Sequence, residues 1–104
     1  MAVKHFKTEE FNAAVEAAPL AMVDFWASWC GPCKMLAPTV DALCAERSDL
    51  KVCKINVDEQ FELAVRYQIN SIPTVVFLKN GREFDRKVGL MSGQVFVDLL
   101  EQNL

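Results

Sequence analysis

Cys30 and Cys33, in the run Trp29-Cys30-Gly31-Pro32-Cys33-Lys34, are the residues of this chain best suited to chemistry. They stand where a strand-like apolar segment, Leu20 to Trp26, gives way to a helix-like one. A pair at this spacing, within alternating strand and helix patterns, reads as a dithiol that cycles with a disulfide rather than as a structural cross-link. A thiol attacks a disulfide only as thiolate, and Cys30 lies at the start of a helix, where unpaired backbone N–H groups and the dipole favour negative charge. Its pKa is expected to fall. Gly31 lets another backbone approach closely, while Pro32 fits a first helical turn, where its missing N–H costs little. Neither adds charge to hold the thiolate further. That favours a reductant over an oxidant, because stabilising the reduced form makes the disulfide more oxidising.

Two further cysteines open a metal reading, with Cys30 and Cys33 as half of a zinc site. Zinc sites usually present a second close-spaced pair on a turn, whereas Cys44 falls on a helix face and Cys53 within a strand. Both are read as small core residues. His5 is the only histidine and lies near the start of the chain, where a surface position is expected. That argues against Cys-His nucleophilic catalysis.

The elements that must position the pair follow from periodicity and punctuation. Val3 to Phe6 reads as a short strand, and Thr8 with Glu9 and Glu10 supplies an N-cap and acidic first turn for a helix burying Phe11, Ala14 and Val15. Leu20 to Ala27 is apolar on both faces, as the centre of a doubly covered sheet should be. Cys33 to about Arg47 carries Leu36, Val40, Leu43 and Cys44 on one helical face, with a kink expected at Pro38. Lys51 to Val57 is a second central strand, and Asp58 is expected to cap a short helix through Phe61, Leu63 and Ala64 to Tyr67. Thr74 to Leu78 and Glu83 to Val88 are strands joined across Asn80-Gly81, a strong hairpin signal. Ser92 then caps a closing helix with Val95, Phe96, Leu99 and Leu100 inward. The order βαβαβαββα is that of an α/β protein, a mixed five-stranded sheet flanked by four helices.

Composition bounds the rest. A length of 104 residues leaves room for one domain, residues 1–104, and 52% hydrophobic residues can fill one core without a disulfide scaffold. A net charge of -3 offers no basic stripe for nucleic acid. The longest mostly apolar stretch, Ala17 to Ala27, is interrupted by Pro19 and Asp24 and is too short to span a bilayer. The first residues lack a secretory hydrophobic region and an Arg-rich presequence, so a cytoplasmic location is expected. A monomer is the default, since no long exposed apolar stripe is left over.

The motif Trp-Cys-Gly-Pro-Cys-Lys, preceded by Val23-Asp24-Phe25-Trp26-Ala27 and followed by Pro38, Ser71-Ile72-Pro73-Thr74, Lys79-Asn80-Gly81 and Val88-Gly89, resembles the thioredoxin family. The resemblance covers the whole chain, and Trp26 before Ala27 is closer to the bacterial form than to the animal one. It implies a thioredoxin fold and a protein-disulfide reductase in which Cys30 attacks the client disulfide and Cys33, deeper in, resolves the mixed disulfide. Asp24 is the candidate base for Cys33, because a carboxylate buried in a central strand has its pKa raised towards neutrality. The resemblance places Lys54, otherwise a plain strand lysine, beside it.

An X-Pro bond is cis in only about 5–6% of cases, so residues alone argue that Pro73 is trans. The resemblance implies that it is cis and faces the dithiol, leaving the backbone of Ile72 to pair with an extended substrate segment. Trp29, Gly31, Pro32, Val88, Gly89 and Leu90 would complete a shallow apolar groove, with Leu90 standing where a small residue is expected. Trp26 is expected to pack against the active-site helix. No bound cofactor or metal is implied, since the electrons reside in the two cysteines. Implied partners are client proteins with accessible disulfides and a flavoprotein thioredoxin reductase fed by NADPH. A thioredoxin-fold oxidant or isomerase usually carries a histidine within the dipeptide, where this chain has Gly-Pro, and a glutathione-linked enzyme is less expected still for the same reason. A non-catalytic binding subunit using the same groove is the alternative from another class.

Overall fold

The computed structural model describes residues 4–5 and 8–103, with side chains from Glu10 onward. Val3, Phe6 and the side chains of His5, Thr8 and Glu9 lie outside the described residues, and with them the surface reading of His5 and the N-cap reading of Thr8. Nine elements follow one another: β1 (Lys4–His5), α1 (Thr8–Ala17), β2 (Leu20–Trp26), α2 (Gly31–Glu46), β3 (Leu50–Asn56), α3 (Phe61–Arg66), β4 (Thr74–Lys79), β5 (Arg82–Val88) and α4 (Gly93–Gln102). The strands form one sheet in the order β1-β3-β2-β4-β5. β3 pairs in parallel with β1 and β2, whereas β4 runs antiparallel to both β2 and β5.

Alternation along β2 splits the core in two. Leu20 and Met22 point with Val52, Val75 and Phe77 to one face, covered by Leu36, Val40 and Leu43 of α2 and Phe96 and Leu100 of α4. Ala21, Val23 and Phe25 point with Cys53, Ile55 and Val76 to the other, covered by Phe11 and Val15 of α1 and Leu63 of α3. Both faces of the central strands are therefore apolar, as a sheet covered on both sides requires. The edge strand β5 instead carries Arg82, Glu83, Asp85, Arg86 and Lys87, a charge-rich run of the kind that discourages further strand pairing. Asn80 and Gly81 take positive φ values of 52° and 84°, which two-residue hairpin turns demand.

Strand directions place the site. The ends of β2, β3 and β5 and the start of β4 all lie at the same edge of the sheet. The segments after Trp26, Asn56 and Val88 and the segment before Thr74 therefore meet there. Among the described residues, no helix is long and apolar enough to cross a membrane.

Several expected boundaries shift. α2 starts at Gly31 rather than Cys33, with Cys30 as its N-cap and Pro32 in its first turn, and it continues through Pro38 to Glu46. Asp58 does not cap α3. The helix starts at Phe61 behind Gln60, which makes no capping bond, because the side chain of Asn56 takes the turn, accepting from the backbone N–H of Asp58 at 2.9 Å and Glu59 at 3.3 Å. Phe61 faces solvent. With Leu63 and Ala64 facing the core and about 100° between successive residues, Phe61 falls roughly 110° away and stays exposed. Ser92 occupies the N-cap of α4 without a side-chain capping bond, and Val95 and Ala14 are half-buried.

Candidate active site

Cys30 closes a disulfide with Cys33, their Cα atoms 5.3 Å apart. An extended backbone at Cys30, with φ of −91° and ψ of 110°, ends the turn after β2 and lets α2 begin at the next residue. Its Sγ accepts a hydrogen bond from the backbone N–H of Cys33 at 3.2 Å. In the reduced state the same donor, backed by the other free N–H groups of the first turn, would favour a thiolate there.

The two cysteines are almost equally buried as residues, Cys30 at 4% and Cys33 at 5% exposure, whereas Cys33 was expected to be the more buried. The reason is the cover over Cys30: Trp26, Val57 and Ile72 pack around the Ala27, Cys30 and Cys33 cluster. Trp26 thus packs against the pair as expected, while Trp29 stands 68% exposed.

Asp24 lies on the sheet face covered by α2, by alternation from Met22, and is 1% exposed. Lys54 is its register partner on β3 and Val75 on β4. Burial pushes its carboxyl up to about 6, against the pull of the Lys54 ammonium, with Asp41 adding a smaller upward push. One carboxylate oxygen, Oδ1, is buried with no hydrogen-bond partner. Lys54 also holds its ammonium over the Trp26 ring, 5.8 Å from the centroid. Asp24, Lys54, Trp26 and the dithiol are thus connected through neighbouring strands and side chains.

The Ile72–Pro73 peptide is cis, as the resemblance implied and the residues alone did not. The Ile72 carbonyl oxygen lies 3.8 Å from Cys30 Sγ. Thr74, buried, donates from its hydroxyl to the Ser71 carbonyl at 2.6 Å, and Gly89 donates its N–H to the Pro73 carbonyl at 2.8 Å. These bonds tie the proline segment to the start of β4 and the end of β5. Gly89 has φ of +91°, a left-handed conformation that glycine adopts without a Cβ penalty.

A second concave surface lies beside the expected groove. A cavity of about 370 Å³ beside the dithiol is lined by Trp29 and Ile72, but the rest of its wall comes from Val57, Asp58, Phe61 and Ile69 and their neighbours. Gly31, Pro32, Pro73, Val88, Gly89 and Leu90 do not line it. Val88 and Leu90 are exposed on the β5 side, and a side chain at Gly31 would meet open space. Sequence reasoning missed Asp58, whose carboxylate accepts a 2.8 Å hydrogen bond from Trp29 Nε1 and steadies the exposed indole. It also missed Phe61. An aromatic residue at the start of a six-residue helix was the available signal.

Cys44 and Cys53 are buried thiols in separate core clusters on opposite faces of the sheet. They cannot join the Cys30–Cys33 pair in one four-thiolate set. Among the described residues, no group of three or more histidine, cysteine or acidic side chains is placed to hold a metal ion.

The thioredoxin family model matches residues 2–102. Thioredoxin from Chlamydia caviae is 42% identical over 101 residues, covering 97% of this chain and 98% of that protein. Thioredoxin from Staphylococcus aureus is 36% identical over 105 residues and covers both chains completely. Among solved structures, a mutant thioredoxin from Halobacterium salinarum superposes with a TM-score of 0.90 at 35% identity, covering 97% of this chain and 89% of that one. Plasmodium falciparum thioredoxin gives 0.88 at 30% identity over the whole of both chains.

Proposed function

The chain belongs to the thioredoxin family and is a thiol-disulfide oxidoreductase, and from that premise we propose how its residues divide the reduction of a client disulfide. The observation that carries the reading is the Cys30–Cys33 disulfide at the N-terminus of α2, with Cys30 Sγ receiving the Cys33 N–H and facing the Ile72 carbonyl. Cys30, as thiolate, attacks one client sulfur. The client disulfide breaks, a mixed disulfide forms, and the first client thiolate leaves to take a proton from water. Asp24 then accepts the Cys33 proton, and the Cys33 thiolate attacks Cys30 Sγ. The second client thiolate leaves, the protein disulfide closes, and two electrons have passed from the pair to the client.

Lys54, opposite Asp24 in the sheet, keeps that carboxyl from rising further and so leaves it ionisable near neutral pH. Trp29, Gly31, Pro32, Ile72, Pro73, Val88, Gly89 and Leu90 are the surface against which the client rests, with the Ile72 backbone pairing to an extended segment. Trp26 and Pro38 serve structure, Trp26 by packing on the pair and Pro38 within the active-site helix. The reading needs no bound cofactor. Electrons return from NADPH through a thioredoxin reductase, and the protein works in the cytoplasm as a monomer of one domain.

Trapping tests the division of labour. Cys33→Ser should accumulate a mixed disulfide between Cys30 and a client, and Cys30→Ser should abolish reduction. Full cellular function in Cys30→Ser would instead favour a binding role. Equilibration with glutathione or dithiothreitol buffers, followed by tryptophan fluorescence, separates reductant from oxidant: a potential near about −180 mV or higher would move the protein to the isomerase or oxidant class.

A further inference from the structure

Phe61 is 70% exposed, although it is the first residue of a helix that has an apolar side to bury. Leaving a large aromatic ring in water gives up burial energy that a core position would supply. Its place explains what the ring does there. Phe61 and Trp29 are the two aromatic residues lining the cavity of about 370 Å³, and Val57, Ala64, Ile69 and Ile72 give it apolar surface. Ile72 brings this cavity to the reactive sulfur, since its carbonyl oxygen lies 3.8 Å from Cys30 Sγ. The volume suits one large side chain with its adjoining backbone.

The charged residues that line the cavity or directly adjoin its lining in sequence are all acidic. Asp58 lines it, Glu59 and Glu62 flank it in sequence and are exposed, and no lysine or arginine lines it. From this continuity with the dithiol and this charge we infer that Phe61 is a specificity-determining residue: the cavity seats a large apolar or aromatic client side chain next to the attacked cysteine, and the acidic rim selects a basic residue beyond it. The inference rests on the reductase reading given above and adds the class of client sequence.

Single-turnover reduction of disulfide-looped peptides by the reduced protein tests it. Two peptides differ only in whether Phe or Ser follows the second cysteine, with Lys next, and a third carries Phe followed by Glu. The protein should reduce the Phe-Lys peptide about tenfold faster than the Ser-Lys peptide, a discrimination of the size one apolar subsite provides. It should reduce the Phe-Glu peptide a few-fold more slowly, with the difference closing at high salt. Phe61→Ala should bring the Phe/Ser ratio close to one, while Phe61→Leu keeps most of it. Val65→Ala, exposed on the same helix but outside the cavity, should leave the ratio unchanged.

The assignment is overturned if Phe61→Ala keeps the ratio, if it slows both peptides equally, or if the parent protein shows no preference. An unchanged rate on the Phe-Glu peptide overturns the basic part. Failure to reduce any peptide, or a small aromatic disulfide, would refute the reductase reading itself and the inference with it.

Discussion

Asp24→Asn should make the protein more stable at alkaline pH and confer little or no advantage in acid. The carboxyl is held at about 6 in the fold against a usual value of 3.8, chiefly because burial penalises its ionised form. The folded state therefore binds the proton more tightly than the unfolded state. Below the unfolded value both states are protonated and the residue imposes no ionisation cost. As pH rises from 3.8 through about 6 the unfolded chain releases its proton first, and stability falls. Above that range the full cost is present. The gap between 3.8 and about 6, at about 1.4 kcal/mol for each tenfold change in proton affinity, makes ionised Asp24 a burden of about 3 kcal/mol.

Urea unfolding of the oxidised protein and of Asp24→Asn at pH 4 and pH 8 reads this directly. The stability difference between them should change by about 2.5 kcal/mol over that interval, because part of the cost is already present at pH 4, in favour of the variant at pH 8, or by roughly 10–20 °C in Tm. The amide is itself buried and adds a cost that does not depend on pH, so the change in the difference is the quantity that decides. Stability profiles that run parallel from pH 4 to pH 8 would show that burial does not disfavour the ionised carboxylate, and the proton-acceptor role built on it would lose its physical basis.

The same substitution should slow resolution of the mixed disulfide about a hundredfold, as loss of a general base does, and an unchanged rate in stopped-flow tryptophan fluorescence sinks the assignment of Asp24. Gly89→Ala should cost about 1–2 kcal/mol, because φ is +91° while the space for a Cβ is open, so the penalty is one of backbone conformation alone; equal urea midpoints would contradict it. Iodoacetamide at pH 8 should modify Cys30, whose sulfur receives a backbone N–H at the start of α2, in the reduced native protein and spare Cys44 and Cys53 inside the two core clusters, with the Cys53 thiol pushed up to about 12 by burial. Rapid native labelling of Cys53, seen by mass spectrometry, would refute this.

What the sequence made legible was whatever depends on short range or on a regular period. The apolar run from Leu20 to Ala27, with both faces hydrophobic, identified a doubly covered strand, and side-chain alternation along β2 puts Asp24 on the face of α2. The Asn80-Gly81 pair gave the hairpin through its need for positive φ. The cis state of Pro73 came only from the family resemblance, because no local rule favours it.

Contacts between segments far apart in the chain were not legible. The hydrogen bond from Trp29 to Asp58 spans 29 residues, and the approach of Cys30 to Ile72 spans 42. Both follow from the central strand order β3-β2-β4, with β4 reversed, which brings the end of β2, the end of β3 and the start of β4 to one edge. A local reading assigns Asp58 to a helix cap because that is the commonest use of such a residue near a helix start. The fold overrides it. Asn56 takes the turn, which leaves the Asp58 carboxylate to accept from Trp29, and the short arc of α3 leaves Phe61 outside the core. The dithiol is thus legible from six consecutive residues, whereas the wall against which a client would rest is assembled by the sheet.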